Sequence, residues 1–214
     1  MTVRISKKTQ TAILSALVVA ASVAITPAAK ADSYNFNWSG NGISTSGLIE
    51  VAATSIPGTF TITGISGTFS DSNAGFSGAI TGLEFAPPPT RTDGSTFFSA
   101  PAFTDAGFSH DNLLYPDGES PAVCIDAPEF SGGVFDIYGV AFDVAGGYTV
   151  DLWSQGALGG DMVGDSFNGV KLGNSDPGIP VTGGTTPTPE PASLVLLGTG
   201  LVGFAGSLMR KLRA

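Results

Sequence analysis

The chain has 214 residues, with nine basic side chains against eighteen acidic ones and a formal net charge of −9. Its one histidine, His110, excludes a multi-histidine metal centre, and its one cysteine, Cys124, excludes an intramolecular disulfide. The charge is unevenly divided. Residues 32–189 hold seventeen carboxylates but only two basic side chains, Arg91 and Lys171, so this part cannot neutralise a phosphate backbone and nucleic-acid binding is excluded.

At the N-terminus, Arg4, Lys7 and Lys8 precede an apolar run from Thr11 to Ile25. Pro27 breaks the run, and Ala29-Lys30-Ala31 offers small residues two apart just before Asp32. This is the layout of a secretory signal helix over residues 1–31, cleaved after Ala31 and engaging the Sec export machinery. An uncleaved anchor is the other reading.

Residues 32–172 read as one cargo domain rich in strand signals. Tyr34, Phe36 and Trp38 alternate with Asn35, Asn37 and Ser39, the period of a half-buried strand. Leu48–Ala52, Gly58–Ile65 with an extension to Phe69, and Phe76–Phe85 read as further strands. Asp71–Gly75 is turn material between the last two, which predicts a hairpin. Pro87-Pro88-Pro89 ends regular structure, and an irregular stretch to about Ala106 carries Phe97, Phe98 and Phe103 as candidate core plugs.

Leu113–Tyr115 and Val123–Ile125 are short strand candidates. Cys124 is expected as a buried core thiol. Val134–Val144 is a longer strand with Gly139 as a possible bulge, and Tyr148–Trp153 pairs with it across Ala145-Gly146-Gly147. Short strands with Gly-rich turns predict an all-β fold, an antiparallel, jelly-roll-like β-sandwich. Residues 173–188 are Gly, Pro and Thr rich and read as a flexible linker.

The tail, 189–214, begins with Pro189-Glu190-Pro191. Residues 192–209 carry no ionisable side chain, and Arg210, Lys211 and Arg213 close the chain. As a helix the apolar stretch would span about 27 Å, enough for a bilayer core. The basic cluster acts as a membrane stop and places the body on the far side of an inner membrane. Gly198–Gly203 matches G-x-G-x-x-G, but the eleven residues after it include no acidic one, so it is not a dinucleotide site.

Pro189-Glu190-Pro191, the glycine-bearing apolar stretch and the terminal basic cluster together resemble the PEP-CTERM protein-sorting signal. The resemblance implies export in a Gram-negative bacterium and recognition by an exosortase, a membrane-embedded cysteine transpeptidase that cuts near Pro189–Pro191. Such proteins typically accompany exopolysaccharide, so the implied destination is the cell surface or extracellular matrix. Asn41–Gly47, Ile62–Thr68 and Asp111–Tyr115 resemble segments of other PEP-CTERM cargo domains, which implies no activity.

The search for chemistry in the body yields little. The serine-hydrolase elbow G-x-S-x-G is absent, and Gly164-Asp165-Ser166 is like the start of a GDSL hydrolase motif but lies too late, downstream of His110. Paired carboxylates could hydrolyse glycosides, yet seventeen acids form such pairs by chance. No enzyme is expected and no cofactor is required. Asp105, Asp111, Asn112 and Asp117, with Glu119, cluster in one loop-rich region and could hold Ca²⁺. Trp38, Trp153, Tyr115, Tyr138 and Tyr148 could build a sugar platform, although alternation places most of them inside. The alternative to a structural matrix protein is therefore a lectin-like module binding extracellular polysaccharide, with Ca²⁺ assisting.

Overall fold

The alternation of Tyr34, Phe36 and Trp38 is realised in the structure: all three are buried, while Asn35 and Asn37 are exposed. They lie on β1 (Ser33–Gly40) of a computed structural model that describes residues 33–86, 90–92, 96–98, 101–123, 129–173 and 178–188. Both terminal signals lie outside the described residues. This covers Ala29, Ala31, Pro189, Glu190, Pro191, Arg210, Lys211 and Arg213, together with the expected signal helix and the membrane helix at 192–209. Among the described residues no helix is long and apolar enough to cross a membrane.

The fold is antiparallel β throughout. In chain order, β2 is Ile43–Ala53, β3 Phe60–Asp71 and β4 Phe76–Leu83. Two small ribbons come next, β5 (Thr90–Thr92) with β6 (Thr96–Phe98), and β7 (Ala102–Phe103) with β8 (Ser109–His110). Then come β9 (Leu113–Leu114), β10 (Val140–Val144), β11 (Tyr148–Ser154) and a single helical turn α1 (Gly156–Gly159). The chain ends its described course with β12 (Asp161–Phe167), β13 (Val170–Lys171) and β14 (Ile179–Pro187).

The expected two-sheet sandwich is not what the pairing shows. Strands run β11-β10-β4-β3-β2-β1-β14-β12 in one sheet, and β11 also pairs with β12, so the sheet closes on itself in a barrel-like ring. The element that makes the difference is β14. The stretch expected to be a linker at 173–188 contains this strand, which pairs with β1 on one side and with β12 on the other. Closure removes both edges that an open sheet would leave unpaired. Ile179 and Val181 hold β14 in place by pointing into the core.

Other expectations are corrected locally. Phe103 is 67 % exposed and plugs nothing. Val134–Val144 is a strand only from Val140; Gly139 (φ 73) ends the preceding loop instead of forming a bulge. Val123 belongs to no strand, and Cys124 and Ile125 lie outside the described residues. β12 has no counterpart among the strands expected from the sequence.

The interior is aromatic. Trp38 stands 5.3 Å from Phe135, which enters from the irregular segment before β10, and Phe69 meets Phe142 at 6.3 Å. Registers Gly47↔Gly67 and Phe36↔Gly47 set two glycines beside Phe36 on the inner face. A Cβ on Gly47 would collide with the Ser66 carbonyl oxygen, so the close approach of β2 and β3 depends on the missing side chains. The outer face of β10–β12 is covered too. Phe108 packs across β12 at Gly164 and against Trp153, which explains why these strands are buried on both faces.

Candidate functional site

The loop 104–107 and the turns after β10 and β12 rise around the outer face of the sheet and enclose a groove of about 510 Å³. Its walls include Thr81, Glu84, Asp105, Asp143, Thr149 and Asn168. Registers Asp143↔Thr149 and Thr149↔Ser166 set three polar side chains in a row on the face opposite the core. The Thr149 hydroxyl donates to Asp143 Oδ1 at 2.9 Å, and the Ser166 hydroxyl donates to the Thr149 carbonyl at 3.3 Å. Partial burial pushes the Glu84 carboxyl up; the adjacent Asp143, to which it hydrogen-bonds, and then Asp105 add to the shift. A neighbouring negative charge disfavours ionisation of Glu84. Carboxylates, hydroxyls and an amide on a concave surface match the hydrogen-bonding needs of a polyhydroxylated ligand.

The four residues expected to form a calcium site are not brought together. Asp105 lies on this groove. Asp117 lines a separate depression of about 200 Å³ with Tyr115, Glu119 and the 56–59 turn. Asp111 and Asn112 line neither depression; both are buried, and their backbone N–H groups donate to the Gly139 carbonyl. Asp111 Oδ1 accepts from the Leu113 N–H at 3.2 Å. Asn112 (φ 56) accepts from the Ala141 N–H through Oδ1 and donates through Nδ2 to the Glu84 carbonyl at 2.6 Å. It is a bracket joining loop to sheet, not a free oxygen ligand. Among the described residues no group of three or more His, Cys, Asp or Glu is arranged to hold a metal ion.

A second acidic group is one that the sequence does not announce. Asp111, Asp136 and Asp151 are all buried and close enough to act on one another electrostatically. Asp136 Oδ1 accepts from the N–H groups of Tyr138 (2.9 Å) and Gly139 (3.2 Å), and the Tyr115 hydroxyl donates to Oδ2 at 3.3 Å. Burial pushes the Asp136 carboxyl up, against these hydrogen bonds. It pushes Asp151 well above its ordinary value, with Asp111 and Asp136 adding to the effect. The same burial raises the Tyr115 hydroxyl. Sequence offers one signal for Asp151 only, its polar position in the alternation of β11. That position reads as solvated because Phe108 and the loop above it are not visible in sequence.

The remaining chemical candidates resolve into structure. His110 is buried with Nε2 3.0 Å from the Phe85 carbonyl oxygen, and burial lowers its proton affinity. Ser166 is only 1 % exposed. Of the five aromatics considered for sugar stacking, Trp38, Tyr115 and Trp153 are buried; Tyr148 stacks on Phe76 at 3.7 Å.

Strand β14 ends at Pro187, and a family model described as the PEP-CTERM protein-sorting motif matches from this residue onward. Residues 187–211 are a PEP-CTERM protein-sorting motif. The PEP-CTERM match takes in Pro189, Glu190, Pro191, Arg210 and Lys211 and stops before Arg213. It implies an exported protein, sorted and processed by an exosortase while membrane-anchored. No curated protein and no solved structure matches the chain.

Proposed function

We propose that the barrel is a non-catalytic cell-surface or extracellular-matrix component, delivered through its PEP-CTERM motif and associated with exopolysaccharide. The observation that carries this reading is the motif at 187–211, joined to a closed β-barrel whose chain is strongly acidic. The net negative charge favours solubility outside the cell and weak repulsion from acidic polymers, which suits a component dispersed in a hydrated matrix. Export through Sec and tethering at an inner membrane belong to the same reading. Fractionation of a producing culture tests it. The barrel should be found at the cell surface and in the polysaccharide fraction, and confinement to the membrane pellet would contradict it.

The groove supports a second reading, a lectin-like module. Its Asp143 and Thr149, beside Glu84 and Asp105, supply polar contacts on adjacent strands and loops. A glycan array run with and without chelator separates the two. Saturable binding of one sugar class favours the lectin, and its dependence on Ca²⁺ would mean that the carboxylates recruit a cation on binding.

A further inference from the structure

The strand that closes the barrel and the signal that releases it share a residue. Pro187 is the last residue of β14, paired with Tyr34, and the first residue of the sorting match. Thr182 to Pro187 pair in unbroken register with Ser39 to Tyr34, and the Thr188 N–H then donates to the Ser33 carbonyl at 3.0 Å. Pro189 follows Thr188 directly in the chain. The domain therefore has no spacer before Pro189-Glu190-Pro191. The stretch that composition reads as a stalk is wall.

We propose that the fold sets the inner limit of processing: the exosortase cuts on the C-terminal side of Thr188, and β14 stays in the barrel. This rests on the proposed exosortase processing. A peptide bond is cut only when the residues around it lie extended and unpaired in the enzyme's cleft. Residues 182–188 meet the first condition and fail the second, because β1 holds their backbone. A cut before Ile179 would also strip Ile179 and Val181 from the core and part β1 from β12. In the step itself the carbonyl carbon at the cut passes to the enzyme's thiolate, and the amide nitrogen takes a proton from the enzyme or from water and leaves as the amine of the tail peptide. Water or an amine acceptor then takes the acyl group and restores the thiolate. The retained carboxyl end lies next to Ser33, so the barrel sits directly on whatever that end is joined to.

The test is the mass of the released protein from full-length precursor in an exosortase-bearing host. The C-terminus is expected at Thr188 or within the next three residues. An end at Pro187 or earlier overturns the limit while leaving exosortase processing intact. A released form still carrying Arg210–Arg213 overturns both. A second precursor with six Gly/Ser residues inserted between Thr188 and Pro189 probes crowding by the barrel. Its initial cleavage rate should rise several-fold, and an unchanged rate would overturn the claim that the fold limits access.

Discussion

The Trp38 indole N–H donates to Asp161 Oδ2 at 2.8 Å, across the strand that lies between them. Trp38 is on β1 and Asp161 on β12; β14 separates them, with Gly183 opposite Trp38 and Val181 opposite Asp161. The bond clamps the closure of the barrel from inside. A charge-assisted hydrogen bond of this kind contributes roughly 1.5–3 kcal/mol. Asp161→Ala should therefore lower stability by about 2 kcal/mol in urea denaturation. Trp38→Phe should lose a similar amount plus packing against Phe135. A double-mutant cycle should show coupling of at least ~1 kcal/mol; additivity would mean that the two side chains do not act together.

Gly183 is the gap through which that clamp reaches. A Cβ there would meet the Asn37 carbonyl oxygen and Trp38 Cδ1. Gly183→Val should push β14 off β1 and cost at least about 2 kcal/mol, at the upper end of overpacking effects. Gly184→Ala, where a Cβ meets nothing within 4 Å, is the control and should change stability by less than ~0.5 kcal/mol. Hydrogen exchange of the β14 amides should accelerate in the first variant alone.

The buried acids predict an unusual pH dependence. Asp136 and Asp151 have folded proton affinities above the unfolded value of about 3.9. The folded state thus binds more protons than the unfolded state between those limits, and stability falls as pH rises. The contribution is fully present below about pH 4 and is lost as pH passes through the raised folded values. The denaturation midpoint should be higher at pH 5 than at pH 8. Asp151→Asn should flatten this difference and raise the midpoint at pH 8, since a neutral amide is spared the cost of burying a charge. An Asp151→Asn midpoint at pH 8 below that of the native chain would contradict the assignment.

The groove makes a separable prediction. Glu84→Gln combined with Asp143→Asn removes both carboxyls of the hydrogen-bonded pair and keeps their size. If the groove binds sugar, glycan-array signal should fall at least about tenfold, equivalent to about 1.4 kcal/mol, with unchanged thermal stability. Retained binding would place the sugar contact elsewhere.

Much of the barrel is legible where alternation is clean. β1, the Phe60–Ile62 start of β3 and Tyr148–Leu152 of β11 carry apolar side chains at every second position, and only a sheet buries such a pattern. β12 is illegible because two of its inward positions, Asp161 and Asp165, are carboxylates: one is satisfied by Trp38 from another strand, and the other is buried in the closed interior. β14 is illegible because Gly183, Gly184 and Pro187 are residues that strands usually avoid. The candidate calcium ligands look adjacent because they are near in sequence, yet backbone bonding of Asp111 and Asn112 sends Asp105 and Asp117 to different depressions. The groove is illegible because its walls come from separate stretches, around Thr81, Asp105, Asp143 and Asn168.

Sequence alone determined the sorting address, since a motif read by another enzyme is a linear string and needs no fold to be recognised. It also determined the β class and the excess of negative charge, which come from local period and composition. Only the tertiary structure decided that the sheet closes, that Asp111, Asp136 and Asp151 are buried together, and that the apparent stalk is a strand. Each of these depends on partners distant in the chain: Trp38 for Asp161, Phe108 for the outer face, and Tyr34 for Pro187. A Gly- and Thr-rich segment has little conformational preference of its own, so what it becomes is set by the unpaired edges it finds.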